Sequence, residues 1–157
     1  MTMISAHLRS RDLVADDLFG RLVSRIAAEE VITRELAERI MDQALAFLYA
    51  CAGNRGERLA PSSAVDIGWH TFLLYTKEYE DFCRRVSGRF IHHVPDDGRA
   101  QDGHGDEMAR TVAAIAATGL AVDPELWLAL AAQCNDGDDG CRASGKDGNE
   151  NTDTNGK

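Results

Sequence analysis

Side chains able to ligate metals or move protons gather between Asp66 and His93: Asp66, His70, Tyr79, Cys83, His92 and His93. Asp66 and His70 are four residues apart, so a helix places them on one face, and Tyr79 and Cys83 repeat that spacing. His92 and His93 follow Gly88 in a strand-like hinge, where only one of two adjacent side chains can turn inward. If the chain folds back at Gly88, a helical imidazole, a helical thiolate and a loop imidazole converge. Such a donor set suits zinc before other ions. Asp66 is then either a fourth ligand or the acceptor that fixes the tautomer of His70. The expected metal set is Asp66, His70, Cys83 and one of His92 and His93, although H-x12-C-x8-H-H is not a standard zinc-finger spacing. The competing account has no ion. In it His70, beside Trp69, is a hydrogen-bonded core residue, Cys83 a small hydrophobe and Asp66 a helix cap.

Other chemistries fail on inspection. Cys83 with His70 or His92 imitates a Cys–His nucleophile pair, but a helical thiol flanked by Phe82 and Val86 is a poor exposed thiolate. The segment GNRGER at Gly53 lacks the Gly-Lys-Ser/Thr ending of a phosphate-binding loop, and no G-x-S-x-G elbow exists. A calcium loop aligned on Gly140 places Lys146 where a bidentate Glu is required. Glu29-Glu30 reads as a solvated helix face, and His7 and His104 lie in polar, flexible surroundings.

The elements that must position these residues are helical. Leu13, Val14, Leu18, Leu22, Val23 and Ile26 recur with helical period over residues 10–28, with Ser10 as N-cap. A second helix runs from Thr33 to about Ala52 on a stripe of Leu36, Ile40, Met41, Ala44, Leu45, Leu48 and Cys51, with Gly53 as its stop. Ser63 opens a third stretch, with Asp66 placed as in a capping box and a break expected at Thr76. Gly88 ends it, and RFIHHVP is expected to be extended because Pro95 disfavours helix before it. A polar connector spans 96–105. A fourth helix covers about Asp106 to Thr118 with Gly119 at its cap, and Asp123-Pro124-Glu125 starts a fifth that ends near Gln133. These elements predict an all-α fold, a compact bundle of about five helices within residues 1–133, with an irregular loop through His92-His93. Residues 134–157, an acidic Gly/Asp/Asn-rich tail with almost nothing to bury, are expected to be disordered.

Charge and composition narrow the partners. With 157 residues and 44% apolar side chains the chain supports one domain. A net charge of −9, relieved by no basic block beyond Arg84-Arg85, disfavours nucleic acid and anionic membrane surfaces as partners. The N-terminus becomes charged before any apolar run long enough for a signal peptide, and no stretch reaches a membrane span. Cys51, Cys83, Cys134 and Cys141, without secretory context, read as thiols of a reducing cytoplasm.

The run PSSAVDIGWHTFLLYTKEYEDFCRRVSGRFIHHVP resembles the signature of the glycine-rich domain-containing protein family. The matching positions are Val65-Asp66, Trp69-His70, Thr76, Tyr79, Phe82-Cys83, Gly88 and His92-His93-x-Pro95, about a fifth of the chain. The similarity is greatest to short bacterial members, found in actinobacteria, that lack the long glycine-rich region of plant relatives. It implies metal binding at this motif and no particular activity. Where those relatives carry closely spaced C-terminal cysteines, this chain has CNDGDDGC, and Cys134 and Cys141 are either metal-binding or redox thiols or incidental tail residues.

The functional expectation is a small cytoplasmic metal-binding module, zinc being the expected ion, or an interaction module with an unknown protein partner. No residue is assigned a catalytic role. A metal-dependent enzyme or an accessory of a biosynthetic pathway is the second reading, and a carrier presenting the cysteine-bearing tail the third.

Overall fold

Capping chemistry places most helix ends where the sequence predicts them and moves a few. The structure, a computed structural model, describes residues 8–54, 56–94 and 104–129. A single 3-10 turn, Ser10–Leu13, precedes α1 (Asp16–Glu30). Then come α2 (Arg34–Gly53), α3 (Ser63–Leu74), α4 (Thr76–Ser87), α5 (His104–Ala117) and a short π-helical turn, Glu125–Ala129. Among the described residues there is no strand, and no helix is long and apolar enough to cross a membrane. The fold is the expected all-α bundle of about five helices. His7, Pro95, the greater part of the 96–105 connector, Cys134, Cys141 and the 134–157 tail lie outside the described residues, as does any continuation of the last helix to Gln133.

Ser10 does not cap the first helix. It sits inside the 3-10 turn, and α1 begins at Asp16, where Asp16 and Asp17 complement the positive end of the helix. Thr33 does cap α2, its hydroxyl accepting from the Leu36 amide at 3.2 Å. α3 starts at Ser63, but its cap is Ser62, whose Oγ accepts from the Val65 amide. The break between α3 and α4 falls at Tyr75, next to the expected Thr76, which makes no capping bond.

α2 is the axis of the bundle, with every other helix packed on it. Its stripe of Ile40, Met41, Ala44, Leu45 and Leu48 is buried, as are Leu18, Leu22, Val23 and Ile26 of α1. The closest approach is α2 to α3. A Cβ added at Gly68 would stand 2.7 Å from the Ala44 Cβ and 3.2 Å from the Ile40 carbonyl oxygen, so only glycine lets the backbones meet there. The segment after α5 is tied to the same axis. Buried Gln43 accepts from the Asp123 amide and from Trp127 Nε1 and donates to the Ala121 carbonyl. Asp123 also pairs with Arg39 through two bonds of 2.8 and 3.0 Å. The close approach at Gly68 sets α3 against α2, and α3 carries the first half of the candidate site.

Candidate metal centre

Asp66 and His70 share a face of α3, as their spacing requires, with His70 Nε2 3.1 Å from Asp66 Oδ2. The loop after α4 brings His93 to the other oxygen of the same carboxylate, Nε2 to Oδ1 at 3.0 Å. The two imidazoles meet edge to face with centroids 4.2 Å apart, and His93 packs on Trp69 at 4.3 Å. Asp66 and His93 are largely covered, with side chains 16% and 11% exposed, while His70 is 55% exposed.

The delivery of His93 depends on Tyr79 and Cys83. Gly88 ends α4 in the left-handed conformation (φ +73°) that glycine adopts without cost, and the chain turns back. Both polar backbone groups of Ile91 are then caught by α4. Its amide points at Cys83 Sγ (3.5 Å), and its carbonyl accepts from the Tyr79 hydroxyl, which in turn accepts from Trp69 Nε1 at 3.0 Å. With Ile91 locked inward, alternation sends His92 to stack on Phe90, centroids 4.6 Å apart, and His93 toward Asp66.

Three of the five candidate ligands thus come together, Asp66, His70 and one of the adjacent histidines, His93, with one donor atom of each lying within 4.8 Å of the others. Cys83 and His92 fall outside this group. Cys83 stands apart because its thiol is fully buried and faces the Ile91 amide, and burial pushes its pKa up, away from the thiolate a metal needs. The same burial removes it as a nucleophile. Trp69 faces His93, whereas Phe72 packs against both Tyr79 and Phe82.

The electrostatics of the cluster admit few states. Burial works to raise the Asp66 pKa, but the hydrogen bonds and charges of His70 and His93 outweigh it and hold the carboxyl below its usual range. The hydrogen bond to Asp66 raises the pKa of His70 against partial burial. Two ring nitrogens aimed at one carboxylate must either carry protons or share a cation. Bare lone pairs facing an anion are repulsive. The His–Asp separations of 3.1 and 3.0 Å run to different oxygens and are those of hydrogen bonds, while one donor atom of each residue lies within 4.8 Å of the others, close enough for small rotations to seat one ion. The donor chemistry therefore fits a divalent metal through two nitrogens and one oxygen, without sulfur.

Beside the cluster opens a cleft of about 270 Å³ lined by Glu29, Glu30, Asp66, Ile67, His70, Thr71 and Leu74. Glu29 and Glu30 are exposed, as expected of a solvated helix face, and close α1 at the negative end of its dipole with no basic residue in the last turn.

The signature of the UCP032817-like family matches residues 12–127, a span that takes in every described element from α1 to the start of the final turn. No curated protein and no solved structure matches the chain.

Proposed function

The chain belongs to the UCP032817-like family, and from the Asp66–His70–His93 cluster we propose that it is a metal-binding module that holds one divalent ion, zinc before others, on those three side chains. The observation that carries the proposal is the convergence of two imidazole Nε2 atoms on the two oxygens of one partly buried carboxylate. Two nitrogens and an oxygen suit zinc and, as a two-histidine, one-carboxylate set, ferrous iron. Three protein ligands leave further positions to water or a small ligand, and the cleft lined by Asp66 and His70 gives access to them. Tyr79 and Cys83 act as positioning residues for His93. The similarity of the Val65–Pro95 run to glycine-rich domain-containing proteins agrees with this reading. The acidic net charge of −9 supports a protein that does not bind nucleic acid.

Metal analysis of protein purified without a histidine tag tests the proposal. We expect one zinc per chain, lost in His70→Ala, His93→Ala and Asp66→Asn and retained in Cys83→Ser and His92→Ala. Because protons and metal compete for the same nitrogens, and Asp66 raises the proton affinity of His70, the apparent zinc affinity is expected to weaken progressively as pH falls below the raised His70 pKa. Folded wild-type protein that takes up no stoichiometric metal, or loses it only in Cys83→Ser, would overturn the proposal.

A further inference from the structure

Arg89 follows the Gly88 turn at the end of α4, and its guanidinium is short of acceptors. Nε and Nη2 are both buried and make no hydrogen bond, and the same holds for the Ser87 hydroxyl two residues earlier. No described carboxylate pairs with Arg89. Nε and Nη2 form one edge of the guanidinium, the edge with which Arg9 grips Asp12 and Arg39 grips Asp123, each in two bonds of 2.8 to 3.0 Å. At Arg89 the same edge faces no acceptor. Substitutes do not replace one. Among the described residues the cations stacked over aromatic rings are Arg11 and Arg21. Burial pushes the Cys51 pKa up against the pull of the Arg89 charge, so that thiol stays neutral and supplies no counter-charge. The same pull places the guanidinium near the last turn of α2, where the helix dipole offers only partial negative charge.

We propose that Arg89 anchors a binding site for a small monocarboxylate, gripped in two bonds by Nε and Nη2, with the Ser87 hydroxyl as a further donor. A buried charge without a partner is unfavourable, and an oxyanion that reaches the fork replaces it with a charge-assisted pair. A carboxylate fits better than phosphate for two reasons. One guanidinium balances one negative charge, so a phosphate dianion would bring an uncompensated charge into a partly buried site on a chain of net charge −9. The chain's own forks at Arg9 and Arg39 also already hold carboxylates. Arg89 as a whole is partly exposed, so its long stem can carry the fork to an incoming ligand while the bundle stays in place. The site is separate from the metal centre, since a guanidinium only donates and cannot ligate a cation.

The test is a titration of the full chain with sodium acetate and with inorganic phosphate, at ionic strength matched with sodium chloride. The readout is the NMR signal of the Arg89 Nε–H group together with the backbone amides of Ser87, Gly88 and Arg89. Protein is treated with chelator, freed of it, and its metal content measured, so that acetate bound to a metal is told apart from acetate bound to Arg89. Acetate is expected to shift the Arg89 Nε–H signal saturably, and phosphate to bind more weakly. Arg89→Lys keeps the charge and loses the fork, and is expected to weaken acetate about tenfold. Ser87→Ala, which leaves the fork intact, is expected to weaken it by a smaller factor. Both variants are checked for folding by circular dichroism, and the wild-type titration stands without them. An Arg89 Nε–H signal that acetate does not move saturably, phosphate binding as tight as acetate, or unchanged acetate affinity in folded Arg89→Lys would overturn the proposal.

Discussion

Asp66 serves two imidazoles with one carboxylate, His70 Nε2 lying 3.1 Å from one oxygen and His93 Nε2 3.0 Å from the other. Tyr79 does comparable work behind the site. Its hydroxyl satisfies both the Trp69 indole and the Ile91 carbonyl, and burial raises its pKa far out of the physiological range, so it acts as a neutral hydrogen-bonding group. Tyr79→Phe should leave both partners buried and unsatisfied, costing about 2 kcal/mol in urea unfolding and loosening His93, read as weaker zinc retention. A Tyr79→Phe protein as stable as wild type would remove the positioning role. At this scale the sequence was legible only where spacing alone settles geometry. Asp66 and His70 pair because residues four apart on a helix must. The choice of His93 over His92 was not legible, since it rests on which face the buried Ile91 takes. Nor does residue type tell whether the Cys83 thiol faces a metal or an amide.

Helices impose their own constraints. Gly68 sits where α3 crosses α2, and a methyl group there would press into Ala44 at 2.7 Å with backbone close behind. Gly68→Ala should cost about 1–3 kcal/mol despite alanine's better helix propensity, measured as a lower urea midpoint. Val31 presents the opposite case. It closes α1 at φ +53°, a conformation unfavourable to a β-branched residue, and is 88% exposed, so nothing in its packing repays the strain. Val31→Gly should stabilise the protein by about 1 kcal/mol in the same measurement, and a loss of stability would show that Val31 holds contacts beyond those seen. The helices themselves were readable because apolar residues recurring every three to four positions report a buried stripe wherever it packs. Their starts were less so: adjacent candidates such as Ser62 and Ser63 differ by one residue, and only packing of the helix selects between them.

The whole molecule is closed by contacts between residues far apart in sequence. Arg39 of α2 grips Asp123 and Glu125 beyond α5, which lowers the Asp123 pKa through its hydrogen bonds. A carboxyl depressed on folding contributes stability above its unfolded value of 3.8 and loses it as pH falls through the folded value. Asp123→Asn should therefore be less stable than wild type by about 1 kcal/mol at pH 7, given the partial exposure of the pair, with the gap closing below pH 3.8 in acid unfolding curves. A gap constant with pH would assign the loss to packing. Local order alone determined that this chain is helical, where most helices run, and that its chemistry centres on Asp66 and the residues that follow, because periodicity, caps and i,i+4 spacing act within a few turns. Only the tertiary structure decided that His93 completes the cluster, that Cys83 supports it from behind, and that Glu30 shares a cleft with His70. Those outcomes depend on how the chain turns at Gly88 and on how α1 meets α3, and no short-range rule carries either.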